Sequence, residues 1–213
     1  MSQRDNIVSK GLSTLLNYEL SGDQILQASL PVKIGGLGFR SSSSLAPSAF
    51  LASAAGTEEL HAIILAQVEE RLQTEVSDFT RNRILERLKV ISGSPPQSNE
   101  VYGKQKCWDR NITEQTFSML LTHCTSQIDK ARILASKAAH TGDWLNAPPI
   151  TSIGLRMSNE TIRVAVVLRL GAKLCEPHQC TCGALVDARG LHGLSCRRSA
   201  GRHERHSLLN DTI

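Results

Sequence analysis

The chain has 213 residues, of which 40% are hydrophobic and 21% are charged, and its net charge is +4. This length suits one sizeable core or two small ones, and the composition is typical of a folded protein rather than a disordered one. No apolar run approaches the roughly 18 residues of a membrane span, and no secretory signal is found. We therefore expect a nuclear or cytoplasmic protein that contacts no membrane.

The N-terminal segment, residues 1–56, begins with a predicted helix from about Asp5 to Leu20. Apolar residues at helical spacing predict that one face of this helix is buried in the core. The residues assigned to that face are Ile7, Leu15 and Leu16.

A second, shorter helix and a glycine-rich stretch complete this segment. Ser21 and Gln24 have the spacing of a capping box, and Pro31 is expected to end the helix that they begin. The stretch 31–44 contains glycines but matches neither the dinucleotide-binding nor the Walker motif. We expect it to be a loop that packs closely against a neighbouring element.

Residues 57–92 are predicted to form a long amphipathic helix, because apolar side chains recur every three or four residues. A stripe that faces the core is favoured over a groove for a partner. Its apolar residues are Leu60, Ile64, Val68, Leu72, Val76, Phe79, Ile84, Leu85 and Leu88. Residues 93–110 follow as a linker, which the Gly, Ser and Pro content of its first part indicates.

Residues 111–172 are predicted to be helical as well. Asn111 to Glu114 resembles a capping box, and it would open a helix whose apolar stripe runs from Phe117 to Ala138. A further helix is expected to begin after Ser158 as its N-cap and to end at Gly171. These patterns together predict a mainly α fold.

The last segment, residues 173–213, concentrates potential metal ligands. Four of the six cysteines and four of the seven histidines lie in it. Cys182 precedes a glycine that suits a tight turn, and His192 and Cys196 are four residues apart, which places them on one face of a short helix. These three residues are therefore predicted to bind a metal ion.

A fourth ligand is needed to close a tetrahedral site. Cys180 is a candidate, although one residue between it and Cys182 leaves little room. Cys175 and His178 lie close enough in the sequence to take its place. Mixed thiolate and imidazole ligands in a closed site favour Zn²⁺ as the ion.

Positive charge is concentrated in the same segment. Eight basic and four acidic residues follow position 160, so this part of the chain carries the whole net charge of +4. Clustered cations beside a small metal site are typical of proteins that bind nucleic acid. The residues predicted to contact it are Arg197, Arg198, Arg202, His203, Arg205 and His206.

Two blocks of the chain resemble the polyproteins of non-LTR retrotransposons. Residues 30–55, LPVKIGGLGFRSSSSLAPSAFLASAA, resemble a segment just beyond the reverse transcriptase palm of that family. Residues 162–211, which include LRLG and the cysteines and histidines, resemble its CCHC zinc knuckle. The resemblance is to the branch with a restriction-like endonuclease, and the ligand order of that family favours Cys180.

The resemblance implies a thumb-like helical region and a helical linker followed by a zinc knuckle, with template RNA and target DNA as partners. The polymerases of the family need two adjacent aspartates, and no two of the eight aspartates here are adjacent. We therefore expect a non-catalytic fragment of a reverse transcriptase and endonuclease protein. The alternatives are a structural zinc module that contacts protein, or part of an intact RNA-directed DNA polymerase whose catalytic domains lie outside this chain.

Overall fold

The computed structural model describes residues 3–57, 60, 63–64, 81–86, 88–90 and 103–199. Most of them are helical, which confirms the prediction of a mainly α fold. The helices with described bounds are α1 (Gln3–Leu16), α2 (Gly22–Ser29), α3 (Ser42–Gly56), α4 (Gln105–His123), α5 (Gln127–Ser136), α6 (Asn159–Leu170) and α7 (His192–Ser195). Short 3₁₀ turns occur at Val32–Ile34, Asp143–Leu145 and Thr151–Ile153.

Two short strands, β1 (His178–Gln179) and β2 (Leu185–Val186), pair antiparallel, with His178 opposite Val186. They lie in the C-terminal segment, between the long helices and α7. None of the described helices is both long and apolar enough to span a bilayer.

Helix α1 buries a different face from the predicted one. Leu12 and Leu16, one turn apart, are buried against α6, whereas Ile7 and Leu15 are 65% and 77% exposed. The prediction was therefore right for Leu16 and wrong for Ile7 and Leu15. Several faces of this helix carry apolar residues, and contact with α6 decides which of them is buried.

Helix α2 begins and ends as predicted. The Ser21 backbone N–H donates to Gln24 Oε1 at 2.9 Å, and the Gln24 N–H donates to Ser21 Oγ at 3.4 Å, which completes the capping box. The last helical residue is Ser29, two residues before Pro31. Both signals act within one helical turn, so the sequence alone was sufficient to find them.

The glycine-rich connector packs closely against α2, as expected. A Cβ atom at Gly36 would collide with the Leu30 carbonyl group, so only glycine fits there. The predicted loop is nevertheless too long, because α3 begins at Ser42. Asp5 of α1 accepts hydrogen bonds from the backbone N–H of Ser42 and the hydroxyl of Ser41, both at 2.9 Å, and thereby caps α3 from a distant part of the chain.

Most of the predicted amphipathic helix, residues 57–92, and the first part of the linker lie outside the described residues. The described positions between 60 and 90 are helical. Leu88 is only 1% exposed and packs with α3 and α4, which agrees with a core-facing stripe. Leu60 and Ile64 are 54% and 62% exposed, so the core assignment is wrong for these two residues.

Helix α4 begins at Gln105, inside the stretch 93–110 predicted as a linker. The predicted capping box at Asn111 is therefore wrong, since that residue lies within the helix. The chain also breaks after His123, where Cys124 is extended, and α5 starts after Ser126. Two helices thus replace the single predicted one, and this break lets both pack on α2.

Helix α6 agrees with its prediction at both ends. Ser158 Oγ accepts a hydrogen bond from the Thr161 N–H at 3.1 Å, and Gly171 ends the helix with φ at 65°. Val167 and Leu170 of α6 are each 1% exposed, in contact with α1 and α2. The C-terminal end of α6 leads directly into the segment with β1, β2 and α7.

Candidate metal centre

The turn between β1 and β2 holds Cys180 and Cys182. The Cys180 N–H donates to the Ala184 carbonyl at 2.9 Å, and the Gly183 N–H donates to the Cys180 carbonyl at 2.8 Å. Gly183 has φ at 90°, a left-handed conformation that glycine adopts without steric cost. The tight turn at Gly183 agrees with the prediction, and it also brings the Cys180 and Cys182 side chains into one cluster.

Helix α7 supplies the other two side chains. His192 is its first residue and Cys196 follows its last, and α7 contacts β2. Asp187 Oδ1 accepts a hydrogen bond from the Leu191 N–H at 3.3 Å, which holds the loop that leads into the helix. His192 and Cys196 therefore approach the cysteines of the hairpin from a separate element.

The structure brings Cys180, Cys182, His192 and Cys196 together, with their ligand atoms within 4.8 Å of one another. The sulfurs of Cys180 and Cys196 are 3.7 Å apart, and Cys182 Sγ is 3.1 Å from His192 Nε2. Two thiolates bound to tetrahedral zinc at about 2.3 Å would stand about 3.8 Å apart. The donor set and its spacing therefore fit a single metal ion.

The alternative ligands, Cys175 and His178, point elsewhere. The Cys175 thiol lies 3.4 Å from the Asp187 carbonyl, and His178 Nδ1 lies 2.9 Å from the Glu176 carbonyl. Neither residue belongs to the group of converging ligand atoms. Of the three candidates for the fourth position, Cys180 is the one that the structure places with the other ligands.

Hydrogen bonds to sulfur also prepare the cluster for a cation, because the thiolate is the form that binds metal. The Cys182 backbone N–H, together with the nearby Cys182, His192 and Cys196 side chains, lowers the pKa of Cys180 to about 6. The Arg198 N–H lowers the pKa of Cys196, but burial and the neighbouring sulfurs outweigh it, so this pKa lies above its usual value. Of these two sulfurs, Cys180 therefore has the lower pKa.

The residues predicted to contact nucleic acid are only partly described. Arg197 and Arg198 are both exposed and directly follow Cys196. Arg198 also donates from Nη1 to the Thr181 carbonyl at 2.6 Å. The remaining predicted contacts, Arg202, His203, Arg205 and His206, lie outside the described residues.

The hairpin and α7 are attached to the helical body by an ion pair that the sequence analysis missed. Arg189 Nη2 lies 2.8 Å from Asp129 Oδ2 on α5. The hydrogen bond from Arg189 holds the pKa of Asp129 below its usual value. The positive charges of Arg189 and Arg132 lower this pKa further. The two residues are separated by 60 positions, so no local pattern connects them.

Comparison of the chain with protein-family models, curated proteins and solved structures finds no match. The case for a site therefore rests on the geometry of the side chains. Within the described part of the chain, the four converging residues form the group whose cysteine and histidine atoms can hold a metal ion.

Proposed function

We propose that residues 173–213 form a zinc-stabilised module that binds nucleic acid, in a protein related to non-LTR retrotransposon polyproteins. The observation that supports it most directly is the convergence of Cys180, Cys182, His192 and Cys196. Three sulfurs and one imidazole nitrogen are soft and borderline donors that suit Zn²⁺. All four positions of a tetrahedron are filled by protein, which favours a structural ion over a catalytic one.

The small core of this module supports a structural role for zinc. Among residues 173–199, the buried apolar side chains are Val186 and Cys196. Such a small core cannot compensate for the conformational entropy that is lost when the hairpin and α7 become ordered. A structural zinc site contributes about 10–16 kcal/mol of binding free energy, which becomes folding free energy here.

The charge of the segment supports nucleic acid as the partner. Arg197 and Arg198 are exposed and directly follow Cys196, and the sequence beyond them contains Arg202 and Arg205. Arginine side chains bind phosphate groups through two parallel hydrogen bonds. The resemblance to retrotransposon polyproteins favours template RNA and target DNA as the physiological partners.

The zinc site can be tested by native mass spectrometry of the full chain. We expect the wild type to bind one Zn²⁺ ion and Cys196→Ala to lose it, since a site with three ligands is open to water and binds zinc more weakly. Cys175→Ala is the matched control, because Cys175 lies in the same module but outside the cluster. An unchanged zinc stoichiometry in Cys196→Ala would contradict the assignment.

Binding to nucleic acid can be tested through its dependence on salt. We expect the affinity of the zinc-loaded chain for RNA and DNA to fall steeply between 50 and 200 mM salt, with a slope of about −0.9 per phosphate neutralised on duplex DNA. Fluorescence anisotropy with labelled oligonucleotides measures this slope.

Two variants separate the module from the rest of the surface. Arg197→Ala should weaken binding and make the slope shallower by about one phosphate, whereas Arg156→Ala, also an exposed arginine, should change neither. Equal affinity at both salt concentrations would refute the proposal that the module grips phosphates.

The exposed leucines of the module favour a second candidate, a zinc module that contacts another protein. Leu185, Leu191 and Leu194 are 76%, 40% and 54% exposed. Two of these leucines lie on β2 and α7, which contact each other, and contiguous exposed apolar surface is typical of protein interfaces. Binding to another protein that does not depend on salt, together with no measurable affinity for RNA or DNA, would favour this alternative over phosphate binding.

A further inference from the structure

The candidate metal cluster is assembled from two elements, the turn of the hairpin and α7 with the residue that follows it. Cys180 and Cys182 lie in the turn between β1 and β2, whereas Cys196 lies beyond α7. Each element has backbone hydrogen bonds of its own: the Cys180 N–H donates to the Ala184 carbonyl in the hairpin, and the Ser199 N–H donates to the Cys196 carbonyl after α7. These bonds shape each element separately, so a contact that joins the residues after α7 to the hairpin turn would help to assemble the cluster before a metal ion arrives.

Arg198 contacts both the hairpin turn and Cys196. Its guanidinium donates from Nη1 to the Thr181 carbonyl at 2.6 Å, and Thr181 stands between the two cysteines of the hairpin. Its own backbone N–H donates to Cys196 Sγ at 3.4 Å. One residue thus touches a ligand sulfur on one side and the ligand-bearing turn on the other.

Both contacts favour a preassembled site. A hydrogen bond from a charged guanidinium is roughly twice as strong as a neutral one, so it restrains the peptide that separates Cys180 from Cys182. A backbone N–H aimed at sulfur stabilises negative charge on the metal-binding thiolate. Groups that orient the ligands in this way commonly change metal affinity by 10–100-fold.

Arg197 differs from its neighbour. It is exposed and makes no hydrogen bond or ion pair with the residues that the structure describes. Its side chain therefore remains available to a phosphate group, while one donor of Arg198 is already used inside the module.

We infer that Arg198 is a positioning residue of the metal centre, which locks the Cys180–Cys182 turn to Cys196, and that Arg197 is the phosphate-contacting member of the pair. The inference rests on the proposed zinc site and divides its two neighbouring arginines between metal binding and nucleic-acid binding. Adjacent residues with the same chemistry thus serve different parts of the module.

Competition for Zn²⁺ between the full chain and a chromophoric chelator tests this division. We expect Arg198→Ala to weaken zinc binding by roughly 10–100-fold. Arg198→Lys should recover part of that loss, because an ammonium group can still donate to the Thr181 carbonyl. Arg197→Ala is the matched control and should leave zinc affinity within about twofold of the wild type while it weakens RNA binding.

The outcomes that would overturn the inference are distinct from those that would overturn the proposed function. A wild type that binds zinc, beside an Arg198→Ala variant that binds it equally well, would refute the positioning role alone. Equal losses of zinc affinity in the Arg197→Ala and Arg198→Ala variants would refute it too. A wild type that binds no zinc would refute the metal site itself, and with it this inference.

Discussion

Arg169 is a single residue whose hydrogen bonds fix the connector between α2 and α3 to the end of α6. Its side chain is 8% exposed, and its guanidinium donates to the carbonyls of Gly36 and Thr141 at 3.1 Å and of Val32 at 2.8 Å. Arginine suits this position because its planar group presents five donors at fixed angles. Burial lowers the pKa of Arg169, and the surrounding carbonyl oxygens compensate for the lost hydration.

Replacement of this arginine should be costly. We expect Arg169→Met to lower the free energy of unfolding by about 3 kcal/mol, since each buried carbonyl left without a donor costs about 1–3 kcal/mol. Arg163→Met on the same helix is the control, because its exposed ion pair with Glu160 is worth less than about 1 kcal/mol. Chemical denaturation followed by circular dichroism measures both, and equal losses would contradict the role of Arg169.

Among the contacts between elements, the most informative is the attachment to α5 of the hairpin that carries Cys180 and Cys182. Arg189 follows β2, and its guanidinium binds Asp129, which also lies 3.5 Å from Arg132. Arg132 in turn donates to Gln27 Oε1 at 2.8 Å and to the Arg169 carbonyl. A continuous set of polar contacts therefore connects the candidate metal centre with α5, α6 and α2.

The Asp129 ion pair should contribute to stability in a pH-dependent way. Because the pKa of Asp129 is lowered in the folded chain, the pair stabilises at pH values above the unfolded pKa of about 3.9 and is lost as the pH falls through the lower folded pKa. We expect Asp129→Asn to be less stable than the wild type at pH 7, and this difference to shrink below about pH 4. Denaturation at a series of pH values measures it.

Asp143 offers a matched control, since it pairs with His140 but is 71% exposed. Asp143→Asn should change stability little at any pH, because exposed ion pairs contribute little. A stability difference between Asp129→Asn and the wild type that stayed constant down to pH 3 would show that the ionised carboxylate is not the cause.

Two kinds of stabilisation are combined at the scale of the whole molecule. The helices share three apolar clusters, in which the contacts of α1 with α6, of α3 with α4, and of α4 and α5 with the end of α2 are buried. Residues 173–199 have hardly any apolar core and instead bring together four side chains that could hold a metal ion. The proposed zinc ion would supply there what buried apolar area supplies in the helical part.

The predictions that the structure confirmed are those that depend on residues close together in the sequence. The capping box at Ser21, the cap at Ser158 and the stop at Gly171 depend on hydrogen bonds within one helical turn, so the sequence contains all the partners. The spacing of Cys182, His192 and Cys196 is also local, since one turn and one short helix bring the three together. Local chemistry of this kind can be recognised without the fold.

Three features of the structure could not be predicted from local sequence patterns. The start of α3 depends on Asp5, which lies on another helix, and the buried face of α1 depends on contact with α6. The Arg189–Asp129 ion pair likewise joins positions far apart in the sequence. Each depends on a partner residue that comes near only when the chain folds, so no sequence pattern identifies the two residues as a pair.

The helical class, several helix ends and three of the four converging side chains were therefore predictable from sequence patterns. The folded chain was needed to show that Cys180, rather than Cys175 or His178, converges with those three side chains, and that Arg198 bonds to the turn between Cys180 and Cys182. The difference lies in the sequence separation of the interacting residues. Helix caps and turns form hydrogen bonds between neighbours along the chain. A metal cluster is completed by the side chains that packed elements bring within a few ångströms of one another.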